Sequence, residues 1–599
     1  MPIREGADQR RSVGAGARRE EEDEDERRTG VWRLTADQGR LDLDRGVSDH
    51  LEAFIAMKDR RKRASLLLIS RCALALLFFS GFTLSTLRLL FSESYHPSLI
   101  SSWRTSPAEA IYSDSPASRG LSVGETVLFP DQVLILLKYP PSSRLLTKDE
   151  IECVYYSPNT SRPHLRSSPL SIGGQYLDHQ IVRCGIPPRG TIVSVALKAQ
   201  GDLPPGPTHE WKSLAYEAMI DRDNTTIVFV KGLNLRPGRA SNHSRFQCVY
   251  GSDFTNRKSR LKSEVVSIAQ EIVRCRTPSS LLGSPHSRGS IKVSVNVIGK
   301  GILSSIARPE FLASPDPPVF IQHRVCICTM LRNQARFLRE WVMYHARIGV
   351  ERWFIYDNNS DDEIEDVIES LANQGFEITR HLWPWIKTQE AGFAHCGLRA
   401  RDLCEWVAFI DVDEFLHLRT GVHLGSIISN QTSRPDVAEL RISCHNFGPS
   451  GLKESPREGV MVGYTCRLRP PERHKSIVQP EKLNPTLINM VHHFDLRDGL
   501  NYVNIDRNLM VINHYKFQVW DEFKEKFYRR VATYVSDWQK EENVGSRDRA
   551  PGLGTRAIEP ADWASRFCEI NDTGLRDWVV KTFSDPNTGL LPWQQERVL

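Results

Sequence analysis

The chain has 599 residues, 40% of them hydrophobic and 25% charged, which excludes a collagen or a wholly disordered chain and leaves room for about three domains. The charges nearly balance, 78 Lys and Arg against 73 Asp and Glu, and a net of +5 gives no argument for nucleic acid. Twelve cysteines without a CxxC pair exclude a disulfide mini-scaffold and point to no structural zinc site.

Residues 1–63 read as a solvated tail, with an acidic run from Glu20 to Glu26 between basic stretches. Residues 64–91 are almost all apolar. Their uninterrupted part, Cys72 to Leu87, has 16 residues and is bounded by Arg71 and Arg88. We expect a single transmembrane helix here, with the arginines snorkelling at its ends. More than 60 residues precede the segment, which argues against a cleaved signal peptide. Lys58, Arg60, Arg61, Lys62 and Arg63 stand before it, while Ser92 to Ser102 carries no Lys or Arg. The positive-inside rule therefore places the N-terminus in the cytosol and the rest in a lumen. Sequons at Asn159, Asn224, Asn242, Asn358, Asn430 and Asn571 and the use of disulfides are compatible with that side.

Residues 92–124 are rich in Ser and Pro and read as a stem. Residues 125–315 read as β structure with an internal repeat. Glu152-Cys153-Val154-Tyr155 returns as Gln247-Cys248-Val249-Tyr250, and Ile181-Val182-Arg183-Cys184 returns as Ile272-Val273-Arg274-Cys275. Disulfides Cys153–Cys184 and Cys248–Cys275 in two related sandwich-like units are expected. From residue 316 to 545 the pattern becomes α/β. Val325–Cys328, Trp353–Tyr356 and Trp406–Ile410 read as buried strands, and the stripe Phe337, Trp341, Tyr344, Ile348 reads as a helix stopped by Gly349. The stripe Trp520, Phe523, Phe527, Val531, Tyr534, Trp538 predicts a late helix facing the core. Residues 546–599 read as an extension of this domain.

The strongest chemical signal is Asp411-Val412-Asp413-Glu414 after an apolar strand. Two carboxylates at the carboxyl edge of a sheet suit Mn2+ or Mg2+ that also holds a diphosphate. A histidine from the later clusters, His492, His493 or His514, completes such a site. The turn Tyr356 to Asp362 offers Asp357 and Asn359 to a nucleoside; its plainer reading is a helix start with a Ser360–Glu363 capping box. Arg332 follows the first strand and is a second nucleotide contact. Gln389 and His395 lie on a helix able to orient a sugar. Arg473, His474 and Lys475 form a basic patch suited to a leaving diphosphate. Glu472 or Glu454 is the candidate base.

The run CTMLRNQARFLREWVMYHARIGVERWFIYDNNSDD, with WPWIKTQEAGFAHC, DVDEF, GYTCR, PERHKSI, VHHF and NHYKFQVWDEFKEKFYRRVATYV, resembles glycosyltransferase family 92 of plants, and within it the pectic galactan synthases. The resemblance implies a GT-A-type, Rossmann-like domain behind a β-sandwich-like domain. It also implies a Golgi membrane protein of type II topology, a UDP-sugar donor such as UDP-galactose, and Mn2+-dependent inverting transfer onto a galactan-like polysaccharide. Asp411 and Asp413 match that family's Asp-x-Asp, and a homodimer and a carbohydrate-binding β module are further implications. Two other classes remain as alternatives. A haloacid-dehalogenase-like phosphatase also uses Asp-x-Asp, but Glu414-Phe415 follows here. A membrane-anchored polysaccharide-binding protein has no need for the acidic pair together with the histidines.

Overall fold

The computed structural model describes residues 120–595, apart from 140–143, 158–162, 177–178, 234, 236–238, 283–290, 312–320, 491 and 535–558. The expected tail, the apolar segment 64–91 and most of the stem lie outside the described residues. Among the described residues, no helix is long and apolar enough to cross a membrane.

The β-rich part is two units of one design. In the first, a sheet ordered Ser171–Tyr176, His179–Cys184, Val133–Lys138, Ser122–Leu128, Thr208–Glu210 shares a core with a second ordered Pro163–Ser167, Ile151–Tyr156, Ile192–Leu197, Gly201–Asp202. The second unit repeats that order, except that one long strand, Leu261–Ala269, pairs with Phe246–Gly251 at one end and Ile272–Arg276 at the other. A bulge between Val265 and Ser267 lets this strand serve both layers. Each unit has a disulfide at the same place: Cys153–Cys184, with Cα atoms 5.9 Å apart, and Cys248–Cys275, at 6.0 Å.

The α/β part is a nine-stranded mixed sheet. Its elements are β1 (His323–Leu331), α1 (Ala335–Ile348), β2 (Arg352–Asp357), α2 (Ile364–Asn373), β3 (Glu377–Leu382), α3 (Gln389–Ala400), β4 (Cys404–Phe409), β5 (Glu414–Leu418), α4 (Leu424–Gln431), β6 (Val437–Asn446), β7 (Glu472–Val478), β8 (Asn501–Asn504), β9 (Met510–His514), α5 (Trp520–Tyr534) and α6 (Gly574–Phe583). The order is β3-β2-β1-β4-β7-β6-β9-β5, with β8 beside β6. The four strands β3, β2, β1 and β4 are parallel and joined through helices, whereas β7 runs antiparallel to β4 and β6. Gly349 ends α1 at φ 113°, a left-handed C-cap that a Cβ would drive into His423.

The stripe on α1 does more than fill the core. Trp341 Nε1 donates to Glu414 O at 2.9 Å, and the Tyr344 hydroxyl donates to Leu416 O at 2.5 Å. The helix thereby fixes β5, the strand that leaves the acidic turn. On the other face, Cys326 and Cys328 alternate along β1 and are bonded to Cys404 on β4 and Cys396 on α3. Cys466–Cys568 ties the C-terminal segment back to the domain.

The expected capping box at Ser360 does not form. The Ser360 hydroxyl accepts the Asn333 N–H at 3.0 Å instead, and Asp362 accepts the Ala335 N–H at 2.8 Å at the start of α1. The turns after β1 and β2 are clasped to each other rather than to their own helices.

The β-rich part and the α/β domain share one apolar core. Trp211 stacks on Trp385 at 5.7 Å, and Tyr216 and Phe229 lie against Trp383. Asp221 pairs with Arg401 and, at 2.8 Å, with Arg274. Gln270 Nε2 donates to Asn489 O at 2.6 Å. Burial of this extent fixes the β-rich part against the sheet edge.

Candidate functional site

Strand β4 carries five buried residues to its end and then turns. The Glu414 N–H returns to Asp411 O at 3.0 Å, and the Asp411 N–H donates to Glu414 Oε2 at 2.9 Å. The turn leaves the Asp411 side chain 32% exposed and that of Asp413 12%, while Glu414 is fully buried beneath them.

Elements remote in sequence converge there. From β7, Lys475 Nζ lies 3.1 Å from Asp411 Oδ2 and 2.8 Å from Glu414 Oε1. From the loop after it, His492 Nε2 lies 3.5 Å from Asp411 Oδ2 and 2.7 Å from Lys475 Nζ, while its Nδ1 is 2.9 Å from Phe409 O. His492 is held at φ 74°, a left-handed conformation that a non-glycine residue keeps only under constraint. At the end of β9, His514 faces Asp413 Oδ2 with Nε2 at 3.3 Å and Glu414 with Nδ1 at 3.6 Å. From α5, Lys526 pairs with Asp413 Oδ2.

The charges are strongly tuned. Burial alone raises the Asp413 pKa, but Lys526 and His514 outweigh it and hold this carboxyl well below its usual range. Asp411 is likewise lowered, with Lys475 and His492 overcoming burial. Burial, aided by the two aspartates, raises Glu414. Burial and then Lys475 push His492 down to about 3, so it stays neutral. The ionised Asp413 carboxylate with His514 Nε2 3.3 Å away is a donor pair that suits a hard or borderline divalent cation, and among the described residues Glu414, Cys444 and His514 bring three metal-capable atoms within reach of one another. Glu414 facing the far nitrogen of His514 is the kind of second contact that orients a ligating histidine.

The remaining expected residues divide. Glu472 stands at the start of β7, 52% exposed, and accepts Lys516 Nζ at 2.9 and 3.0 Å. Its pKa is lowered because Asn446 and Lys516 outweigh burial. Gln389 opens α3 at the carboxyl edge of the sheet. Arg332 follows β1, and its buried Nε has no hydrogen-bond partner.

Three expectations need correction. Asp357 is buried, with Oδ2 taken by Arg380 at 2.8 and 3.0 Å and Oδ1 by the Ser360 N–H at 2.9 Å. Asn359 is buried too; its Nδ2 donates to Pro384 O at 3.1 Å and its carbonyl accepts Arg183 Nη1 at 3.2 Å. Both hold the loop rather than offer groups to a nucleoside. His395 is 3% exposed, 2.6 Å from the Tyr356 hydroxyl, and packed among Phe229, His381 and Trp383. Burial first, then His381 and Arg399, drives its pKa far down. It is a core residue. His395→Ala is expected to destabilise the fold by about 2–4 kcal/mol. UDP affinity of the folded fraction should stay within about twofold, as thermal unfolding and calorimetry would show.

A cavity of about 540 Å3 lies between the β-rich part and the first turn of α3, lined by Trp211, Lys231, Gln270, Glu271, Lys387 and Glu390. Asn489 Nδ2 donates to Glu390 O at 2.9 Å, and Phe393, one turn on, packs 5.0 Å from His492.

Fold and site together define an α/β protein with an acidic turn, answered by two lysines and two histidines, at the carboxyl edge of its sheet. Residues 322–544 match Glycosyltransferase family 92. The chain is 59% identical over 562 residues to a glycosyltransferase family 92 protein of Ricinus communis, covering 90% of this chain and all of that one (100%). It is 49% identical over 541 residues to a family 92 protein of Oryza sativa subsp. japonica, covering 86% and 91%. The chain belongs to glycosyltransferase family 92 and is a glycosyltransferase. A galactan beta-1,4-galactosyltransferase of Arabidopsis thaliana is 28% identical over 170 residues, 26% of this chain and 33% of that one. Among solved structures, a mannosyltransferase from Pyrobaculum calidifontis in complex with GDP-Man and Mn2+ covers 39% of this chain and 68% of its own at 12% identity, with a TM-score of 0.24, too low to carry an argument.

Proposed function

We propose that this chain is a Golgi-anchored, metal-dependent inverting hexosyltransferase of the GT-A type that uses a UDP-sugar, UDP-galactose first among candidates, to extend a galactan-like wall polysaccharide. The observation that carries this is the convergence of Asp411, Asp413, His492, His514 and two lysines on one sheet edge. The donor reading is also supported by the stretch shared with the galactan synthases. The apolar segment 64–91 with its basic N-terminal flank supports the anchor.

Mn2+ or Mg2+ would be held by Asp411, Asp413 and His514, and would supply positive charge against the leaving diphosphate. His514 is the better third ligand, because His492 Nε2 already faces the Lys475 ammonium. Lys475, clamped between Asp411 and Glu414, keeps the acidic turn assembled. Arg332 and Gln389 border the donor from β1 and α3. The cavity against Trp211 and Glu390 suits a distal unit of an acceptor glycan: it offers apolar surface for a sugar face and carboxylates and amines for hydroxyls. Glu472 takes the proton from the acceptor hydroxyl. As that oxygen bonds to the anomeric carbon, the carbon–phosphate oxygen bond breaks and UDP leaves from the opposite side.

Glu472→Gln is expected to lower kcat by about a hundredfold or more, while UDP affinity stays within about twofold. Incubating the protein with a panel of UDP-sugars and β-1,4-galacto-oligosaccharides, with and without Mn2+, and weighing the products tests the donor and acceptor. Oligosaccharide binding without any UDP release would favour the polysaccharide-binding alternative instead.

A further inference from the structure

Three carboxylates, Asp411, Asp413 and Glu414, crowd one turn, and two ammonium groups answer them. The two lysines are not equivalent. Lys475 is only 10% exposed and is clamped by Asp411 at 3.1 Å, Glu414 at 2.8 Å and His492 at 2.7 Å. It has no room to leave. Lys526 is 30% exposed and pairs with Asp413 Oδ2, the oxygen that also faces His514.

The helix that delivers Lys526 is itself immobilised. Phe523 packs on Trp563 at 4.6 Å, and Phe527 joins the same apolar cluster with Phe517 and Trp520. Trp563 Nε1 donates to Gln518 O at 3.0 Å, and Arg336 reaches across from α1 to Glu525 at 3.0 Å. What can move is the four-carbon side chain, whose ammonium is a compact charge on a flexible stem. The amine lies on a carboxylate oxygen that a divalent ion would need, at the acidic turn where a diphosphate would lie.

We propose that Lys526 is an exchangeable cation of the donor site. Without a divalent ion it neutralises Asp413; when an ion takes that carboxylate, the ammonium swings to the diphosphate of the bound donor. The C-terminal segment around Trp563 and Cys568 then belongs to the donor site through α5. This rests on the metal-dependent reading above.

The test compares the full chain with Lys526→Met, and with Lys524→Met as a control on the same helix, by Mn2+ titration followed by electron paramagnetic resonance and by UDP calorimetry. Removing the competing ammonium should tighten Mn2+ binding without nucleotide by about tenfold, and weaken UDP binding at saturating Mn2+ by about tenfold. Lys526→Arg should restore UDP binding, and Lys524→Met should change neither quantity. Unchanged or weaker Mn2+ binding in Lys526→Met, in a chain whose wild type binds Mn2+, overturns the proposal alone. A wild-type chain that binds no Mn2+ overturns the metal-dependent reading and this proposal together.

Discussion

Asp413→Asn is expected to lower kcat/KM for sugar transfer by about a thousandfold or more, the scale of loss when preorganised charge at a reacting centre is removed. The substitution keeps shape and volume, so the backbone contact from the Tyr515 N–H to Asp413 O at 2.9 Å survives. It removes the charge that answers His514 and Lys526. A loss of folded protein would lower the rate as well. Steady-state kinetics at saturating Mn2+, with thermal unfolding to show that the fold persists, separates the two. A variant within tenfold of wild type would contradict the role given to Asp413.

The second large effect is on stability. Cys328→Ser with Cys396→Ser should destabilise the native state by about 3 kcal/mol, the chain-entropy value for the short ring of roughly 10 residues that this bridge closes while Cys326–Cys404 stays intact. Its 68-residue span is nested inside the 78-residue loop closed by Cys326–Cys404. Both bridges hold β1 against the elements that lead into the acidic turn. Denaturant unfolding of oxidised protein and variant measures the difference, and transfer activity should fall with the folded fraction. Equal midpoints would show that the bridge adds nothing to the fold.

The parallel half of the sheet was readable because its strands are short apolar runs with an amphipathic helix and a glycine stop between them. The repeat of Cys153 and Cys184 in Cys248 and Cys275 was readable because its landmarks recur in order. The other half was not. Strands β6 to β9 pair with partners far away in sequence, and nothing local states which register brings His514 and Lys475 under the same turn. Asp411 and Asp413 stood out as acids closing an apolar strand. Lys526 did not, because a charged residue beside the stripe Phe523–Phe527 looks like any solvated helix edge. Asp357 was misread for lack of one fact, that Arg380 on the adjoining strand would take its carboxylate. His395 looked available because Tyr356, His381, Trp383 and Phe229, which bury it, come from three separate stretches of chain. The shared core with the β-rich part was likewise out of reach, since Trp211 and Trp385 meet only across the two parts.

Calorimetric titration of UDP into the full-length protein, with saturating Mn2+ and again with a chelator, bears most directly on the acidic turn as a metal-dependent nucleotide site. Binding that is tight with the ion and at least about a hundredfold weaker without it is the predicted result. Equal affinity in both conditions, or no UDP binding in either, would contradict it.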